Sequence, residues 1–62
     1  MIRVAISGIP GRLATATAAG IAASDDLDLV ALYNPNRGGD TFGGIPISAN
    51  HDEIECDVVF ES

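Results

Sequence analysis

The chain has 62 residues, of which 47% are hydrophobic and 5% aromatic, and its formal net charge at pH 7 is −6. This length allows one domain with a small core, because a domain this short buries only about 60% of the surface that its unfolded chain exposes. The acidic balance argues against binding to nucleic acid or to an anionic membrane, which requires clustered Lys and Arg. The single cysteine excludes an internal disulfide.

No apolar run in the sequence approaches the roughly 20 residues that a membrane-spanning helix needs. Met1 is followed by a strand pattern and not by the basic region and apolar segment of a signal peptide. A free thiol without an export signal is typical of the cytoplasm. We therefore expect a cytoplasmic protein without a membrane partner.

The first half of the chain predicts a strand, a turn and a helix. Over residues 2–7, isoleucine and valine alternate with smaller or polar residues, which predicts a β-strand. Residues 8–11 contain two glycines and a proline and predict a tight turn, and residues 12 to about 24 predict a helix. The helix face expected to pack on a sheet consists of Leu13, Ala16, Gly20 and Ile21.

The second half predicts short strands separated by loops. Residues 29–33 are all apolar or aromatic, a pattern typical of a strand buried on both faces of a parallel sheet. Four glycines within residues 36–44 predict a flexible loop. Residues 45–48 predict a short edge strand, the position in a sheet where Pro46 is tolerated.

Residues 50–54 predict about one helical turn, and residues 57–60 predict a last strand. A helix between two apolar strands implies a right-handed parallel crossover. The fold class is therefore α/β, with a partial doubly wound (Rossmann-type) parallel sheet of which only the first half is present. Because the chain has one substantial helix, we expect one face of this sheet to lack a cover.

A glycine motif lies between the first strand and the helix. Gly8, Gly11 and Ala14 have the spacing G-x-x-G-x-x-A. Gly8 allows the tight turn, Gly11 lets the backbone approach a pyrophosphate, and Ala14 permits close contact between helix and strand. Pro10 fits a helix start through its fixed φ. A strand that turns on glycines into a helix presents backbone N–H groups to a phosphate, so the motif predicts a nucleotide site.

Three polar side chains are candidates for the rest of such a ligand. Arg12, in the first turn of the helix, could reach a phosphate or could lie solvated along the helix. At the end of the second strand, where dinucleotide sites have an Asp or Glu for the ribose, this chain has Asn34. Asn34 can bond a ribose hydroxyl without repelling a 2′-phosphate, or it can be a turn residue before Pro35. With Arg37 three residues later, the pattern favours binding of NADP, or of both NADP and NAD.

The remaining chemistry-bearing residues predict no site. His51 is the only histidine and has no evident partner, so we expect it at the surface. Cys56 is expected to be a small buried residue. Asp52 and its acidic neighbours at positions 53 and 55 predict a solvated face. The sequence contains no Tyr-x-x-x-Lys pair, Cys-x-x-Cys pair or metal-ligand cluster.

Residues 4–14, VAISGIPGRLA, resemble the opening of bacterial 4-hydroxy-tetrahydrodipicolinate reductases, also called dihydrodipicolinate reductases, which typically begin V-A-[IV]-x-G-x-x-G-[RK]-M-G. Residues 29–33 match the second strand of that family in position, and residues 57–61, DVVFE, resemble its D-V-[VF]-I-D strand. The chain departs from the family pattern at Leu13, Ala14, Asn34, Glu61 and Ser62.

The resemblance implies a lysine-pathway (diaminopimelate) enzyme of the cytoplasm, an oxidoreductase that reduces a cyclic dicarboxylate with NADPH or NADH and is usually a homotetramer. It implies that residues 1–62 are the N-terminal part of a dinucleotide-binding domain, and that the family's catalytic and substrate-binding residues lie beyond Ser62, so that this segment alone is inactive. The residues predicted to contact the cofactor are Gly8, Ile9, Pro10, Gly11, Arg12, Leu13, Asn34 and Arg37. No catalytic or metal-binding residue is predicted.

Three other interpretations remain open. Atypical short-chain dehydrogenases and nucleoside-sugar epimerases also use G-x-x-G-x-x-[GA] after their first strand. A non-catalytic nucleotide-sensing module would bind the same ligand and respond by altered assembly. A glycine turn in an unrelated α/β protein is the third interpretation, because an isolated glycine motif is weak evidence.

Overall fold

The strands and the helix expected from the sequence form in the computed structural model, which describes residues 1–61. The elements are β1 (Ile2–Ser7), α1 (Arg12–Ala22), β2 (Leu27–Tyr33), β3 (Thr41–Phe42), β4 (Ile45–Ser48), a single 3₁₀ turn (His51–Glu53) and β5 (Val58–Glu61). The predicted strand, helix, strand order and the last strand are confirmed within one to two residues at most boundaries.

All five strands belong to one sheet, in the order β3-β4-β2-β1-β5. β2 and β5 both pair with β1 in parallel, and β4 pairs in parallel with β2. Only β3, which pairs with β4, is antiparallel. The fold is thus mixed α/β, with one mostly parallel sheet and one helix, as the sequence predicted in outline.

Two expectations for the segment between β2 and the 3₁₀ turn are wrong. Residues 41–42 form β3 where a loop was expected, because Gly43 and Gly44, with φ of 59° and 82°, turn the chain back onto itself. β4 is therefore an internal strand and not an edge strand. Pro46 is tolerated there because it lies outside the residues of β4 that pair with β2, which are 47 and 48.

Helix α1 packs on the sheet through a face that the sequence predicted only in part: Ile21 and the close contact of Ala14 are confirmed, and the other three residues of the predicted face are not buried. Its buried residues are Ala14, Ala18 and Ile21, whereas Leu13 is 60% exposed and Ala16 is exposed. Gly20, also expected on the packed face, is exposed. Ala14 and Ala18 face the sheet because their small side chains let the helix backbone approach the strands closely. With 11 residues, α1 is too short to cross a bilayer, and no helix within residues 1–61 is long and apolar enough to do so.

The core lies between α1 and one face of the sheet. It consists of Val4, Ile6, Ile9, Ala14, Ala18, Ile21, Leu32 and Ile47. β2 was expected to be buried on both faces, but Leu32 is its only fully buried residue within the described chain. The reason is that a single helix covers a single face, while the other face meets only the segment between β4 and β5.

Two strand starts are tied together at the edge opposite the glycine motif. The N–H of Arg3 donates to Oδ2 of Asp57 at 2.9 Å, and the N–H of Asp57 donates to the carbonyl of Arg3 at 2.8 Å. The hydrogen bond from the Arg3 backbone, followed by that from its side chain, lowers the pKa of Asp57 below its ordinary value. These bonds link the start of β5 to β1, and the lowered pKa means that the carboxylate keeps its charge to a lower pH than an ordinary Asp.

The position of Leu13 outside the core is testable by comparing it with Leu32 of β2, a leucine that is fully buried. Leu32→Ala removes a fully buried side chain and should lower the free energy of unfolding by about 2–5 kcal/mol. Leu13→Ala removes an exposed side chain and should change it by no more than about 0.5 kcal/mol. Urea denaturation followed by circular dichroism measures both; equal losses would show that Leu13 belongs to the core.

Candidate functional site

The carboxyl ends of the four parallel strands lie along one edge of the sheet. β1 is the strand at which the connections diverge, because the chain leads from it through α1 to β2 on one side, and β5 returns to its other side. In open parallel sheets, ligands bind in the crevice outside the strand ends at such a point. The loop of residues 8–11, which joins β1 to α1, lies there.

Gly8 turns the chain out of the sheet. Its N–H donates to the carbonyl of Tyr33 at 2.9 Å, which extends the pairing of β1 with β2 by one residue. Its φ of 92° lies in the region that residues with a side chain rarely adopt. The glycine predicted for a tight turn at this position is thus required by the backbone.

The other loop residues leave the outer side of the loop open. The Ile9 side chain is fully buried in the core and so points away from solvent, and Pro10, which follows a cis peptide bond, is exposed. Gly11 is extended and exposed, and a Cβ added to it would lie 3.2 Å from the carbonyl oxygen of Gly8. Glycine at position 11 therefore lets the loop fold closely on itself.

The N-terminus of α1 has unsatisfied backbone donors. The first N–H of the helix with a backbone acceptor is that of Thr15, which donates to the carbonyl of Gly11 at 2.7 Å. Within residues 1–61, no acceptor bonds the N–H groups of residues 11–14, and Gly11, the N-cap, has no side chain to supply one. These are the groups that caps, water or ligands satisfy at helix starts.

The one charged side chain in the first turn of α1 is positive. The first turn of α1 contains no acidic residue and begins with Arg12. Arg3 pairs with Asp57 at 3.4 Å and Arg37 with Asp40 at 3.7 Å, whereas Arg12 has no carboxylate within 4.0 Å in the described chain. A cation beside the positive end of a helix dipole is unfavourable by itself, so this arrangement favours an anion between them.

Asn34 lies beside the loop, but its side chain is bonded within the protein. Its Nδ2 donates to the carbonyl of Ile9 at 2.9 Å, and its Oδ1 accepts from the N–H of Asn36 at 2.9 Å. The predicted turn role before Pro35 is thus present, and each polar atom keeps capacity for one further bond. The contact with Ile9 joins residues 25 positions apart.

Arg37 closes the turn that follows β2. Its N–H donates to the carbonyl of Asn34 at 3.1 Å, which keeps it near the same strand end. Its guanidinium pairs with Asp40, and both side chains are more than half exposed. Such surface pairs contribute little, so the side chain is available to a stronger anionic partner.

A cavity of about 350 Å³ lies at the carboxyl ends of β1, β2 and β5, on the sheet face that α1 does not cover. It is lined by Ser7, Tyr33, His51, Ile54, Cys56, Val59 and Glu61. The His51 ring is exposed, as expected, and meets the Tyr33 ring edge-on at 5.8 Å. Cys56 is only partly buried, not buried as expected, because the segment that carries it crosses the sheet without a helix above it.

Other parts of the described chain offer no comparable chemistry. A larger cavity of about 590 Å³ lies between α1 and β2–β4, but its lining is mainly apolar and includes none of residues 8–11. Residues 1–61 hold no group of three or more His, Cys, Asp or Glu side chains that could bind a metal ion. The acidic residues at positions 52, 53 and 55 are exposed, as the sequence predicted.

Comparison with known proteins identifies no relative of this chain. No model of a protein family matches the chain, and no curated protein or solved structure matches it.

The turn at Gly8 gives a stability prediction with an internal control. Gly8→Ala forces a side chain into a left-handed backbone conformation and should cost about 1–3 kcal/mol. Gly20→Ala, in the exposed helix with no atom within 4 Å of the new Cβ, should instead stabilise by about 0.5–1 kcal/mol. Thermal unfolding of the two variants measures the difference, and a neutral Gly8→Ala would contradict the turn geometry.

Proposed function

We propose that this chain binds the pyrophosphate of NADPH or NADH at residues 8–13, as the cofactor-binding segment of a reductase. The loop provides backbone N–H groups, the start of α1 provides the positive end of a helix dipole, and Arg12 provides a charge. A dinucleotide needs these features locally and does not need a basic protein, so the net charge of −6 is compatible with the proposal.

One observation carries the proposal. Four consecutive N–H groups, from residue 11 to residue 14, lack an acceptor within residues 1–61, and the only cation of the first turn lacks a carboxylate. A phosphate at this position would accept from several of these donors and neutralise Arg12. An ordinary structural turn gains stability from a Ser, Thr, Asp or Asn cap, and this helix has none.

The strand order supports a finer description of the fold. The parallel strands lie in the order β4-β2-β1-β5, which corresponds to the order 3-2-1-4 that begins a Rossmann-type sheet. In such sheets the first turn after the central strand holds the pyrophosphate. We propose on this basis that residues 1–61 form part of a doubly wound nucleotide-binding sheet.

The residues at the end of β2 favour binding of NADPH, whose ribose carries a 2′-phosphate, or binding of both NADPH and NADH. Asn34 occupies the position where an acidic residue would select an unmodified ribose, and it carries no charge to repel a 2′-phosphate. Arg37 lies on the turn that follows and is held only by a surface ion pair. We expect binding of NADPH at least as tight as that of NADH.

The reductase part of the proposal is based on the resemblance of residues 4–14 and 57–61 to 4-hydroxy-tetrahydrodipicolinate reductases. When bound, the nicotinamide would supply a hydride to a small cyclic dicarboxylate in the lysine pathway of the cytoplasm, in a homotetrameric enzyme. Within this chain we assign no residue to the chemical step; its residues bind and orient the cofactor. NADPH oxidation by the whole enzyme with such a dicarboxylate tests this part separately.

Binding is tested by calorimetric titration of the purified chain with NADPH and NADH. Gly11→Asp should abolish binding, because it places bulk within reach of the Gly8 carbonyl and a negative charge beside the phosphate. Gly20→Asp, the same change on the exposed far part of α1, should leave the affinity unchanged. Arg12→Gln should weaken binding about three- to tenfold without loss of stability.

A wild-type chain that binds neither cofactor at millimolar concentration would end the proposal. Equal loss in the Gly11→Asp and Gly20→Asp variants would also oppose it, because a local steric effect predicts a difference between them. An unchanged affinity of the Arg12→Gln variant would remove Arg12 from the site.

A further inference from the structure

We propose that Asn34 is a positioning residue that holds the loop of residues 8–11 in its phosphate-binding shape, in place of the ribose ligand expected from its sequence position. This inference rests on the proposed function above. It assigns a role to the side-chain amide that neither a turn preference nor a ribose contact requires.

Asn34 joins three segments at the carboxyl edge of the sheet. Its side-chain Nδ2 bonds the loop at Ile9, its Oδ1 and its carbonyl close the turn over residues 36 and 37, and its backbone N–H donates to the carbonyl of Ser48 at 3.0 Å. The residue is partly buried. Movement of its side chain would therefore disturb both the loop and the turn after β2.

The loop has few other attachments. Gly8 is fixed through its N–H, and Ile9 is fixed through its side chain in the core. Between these points and the Gly11 carbonyl, which belongs to the first turn of α1, the Nδ2 of Asn34 provides the only hydrogen bond from elsewhere in residues 1–61. The direction of the free N–H groups at the helix start depends on this stretch of backbone.

The chemistry of the contact requires an amide. Nδ2 donates to the Ile9 carbonyl, and a carboxylate at position 34 would instead place an acceptor 2.9 Å from another acceptor. An acidic ribose ligand is thus incompatible with this attachment of the loop. Because the bond to the Ile9 carbonyl requires an amide at position 34, that position has no negative charge that would repel a 2′-phosphate.

Three variants test the inference by titration with inorganic pyrophosphate, NADPH and NADH. Asn34→Asp should weaken pyrophosphate and NADH about tenfold, because the loop that binds their shared diphosphate is displaced, and NADPH by at least as much, because the new charge also repels its 2′-phosphate. Asn34→Ala, which removes the donor without adding charge, should weaken pyrophosphate similarly. Asn36→Asp, the matched control, adds the same charge on the same turn where no side-chain bond is lost, and should change the pyrophosphate affinity less than twofold.

Each alternative gives a different result. If Asn34 binds the ribose, Asn34→Asp should tighten NADH relative to NADPH and leave pyrophosphate unchanged, which would overturn the inference. Equal weakening by Asn34→Asp and Asn36→Asp would attribute the effect to charge and would also overturn it. The titrations are run well below the unfolding temperature of each variant, so a merely structural role that lowers stability would not change the affinity.

The loop attachment can be measured even if the proposed function fails. Amide resonances of residues 9, 11 and 12 in the ligand-free chain should shift in Asn34→Asp and Asn34→Ala but not in Asn36→Asp. Failure of the wild-type chain to bind pyrophosphate, combined with these shifts, would reject the binding site and retain the attachment. Absence of the shifts would reject the role of Asn34 itself.

Discussion

The structure depends on how the chain passes from β1 into α1 within residues 8–11. The passage requires a positive φ at Gly8 and a close approach of Gly11 to the Gly8 carbonyl, and it starts the helix without a side-chain cap. As a consequence, within residues 1–61, the first N–H groups of the helix have no acceptor, and Arg12 beside them has no carboxylate within 4.0 Å. The local geometry that makes the turn is therefore also the geometry that favours an anion.

The core and the strand ends support this loop from two directions. On the core side, the Ile9 side chain is buried between α1 and the sheet, so the loop contributes to the core. At the carboxyl edge of the sheet, Asn34 connects the loop to the end of β2 and, through its bond to Ser48, to the end of β4. Packing and the geometry of the loop are thus linked through two residues, Ile9 and Asn34.

The sequence predicted the features that depend on local patterns, such as the first strand, the turn on Gly8 and the end of β2 at Tyr33. It failed where the outcome depends on contacts between distant residues. Helical spacing placed Leu13 and Ile21 on one packed face of α1, but only Ile21 is buried, because the helix turns Ala14 and Ala18 towards the sheet. The bond from Asn34 to Ile9 spans 25 residues and has no sequence signature, so only the turn role of Asn34 was accessible.

We expect the backbone N–H groups of residues 11–14, at the start of α1, to bind an anion. Titration of the isotope-labelled chain with inorganic pyrophosphate, followed by two-dimensional NMR of the backbone amides, tests it most directly. Pyrophosphate should cause saturable shifts concentrated at residues 11–14, with little change in the last turn of α1 or in β3. Shifts that do not saturate, or that are centred away from residues 11–14, would contradict it.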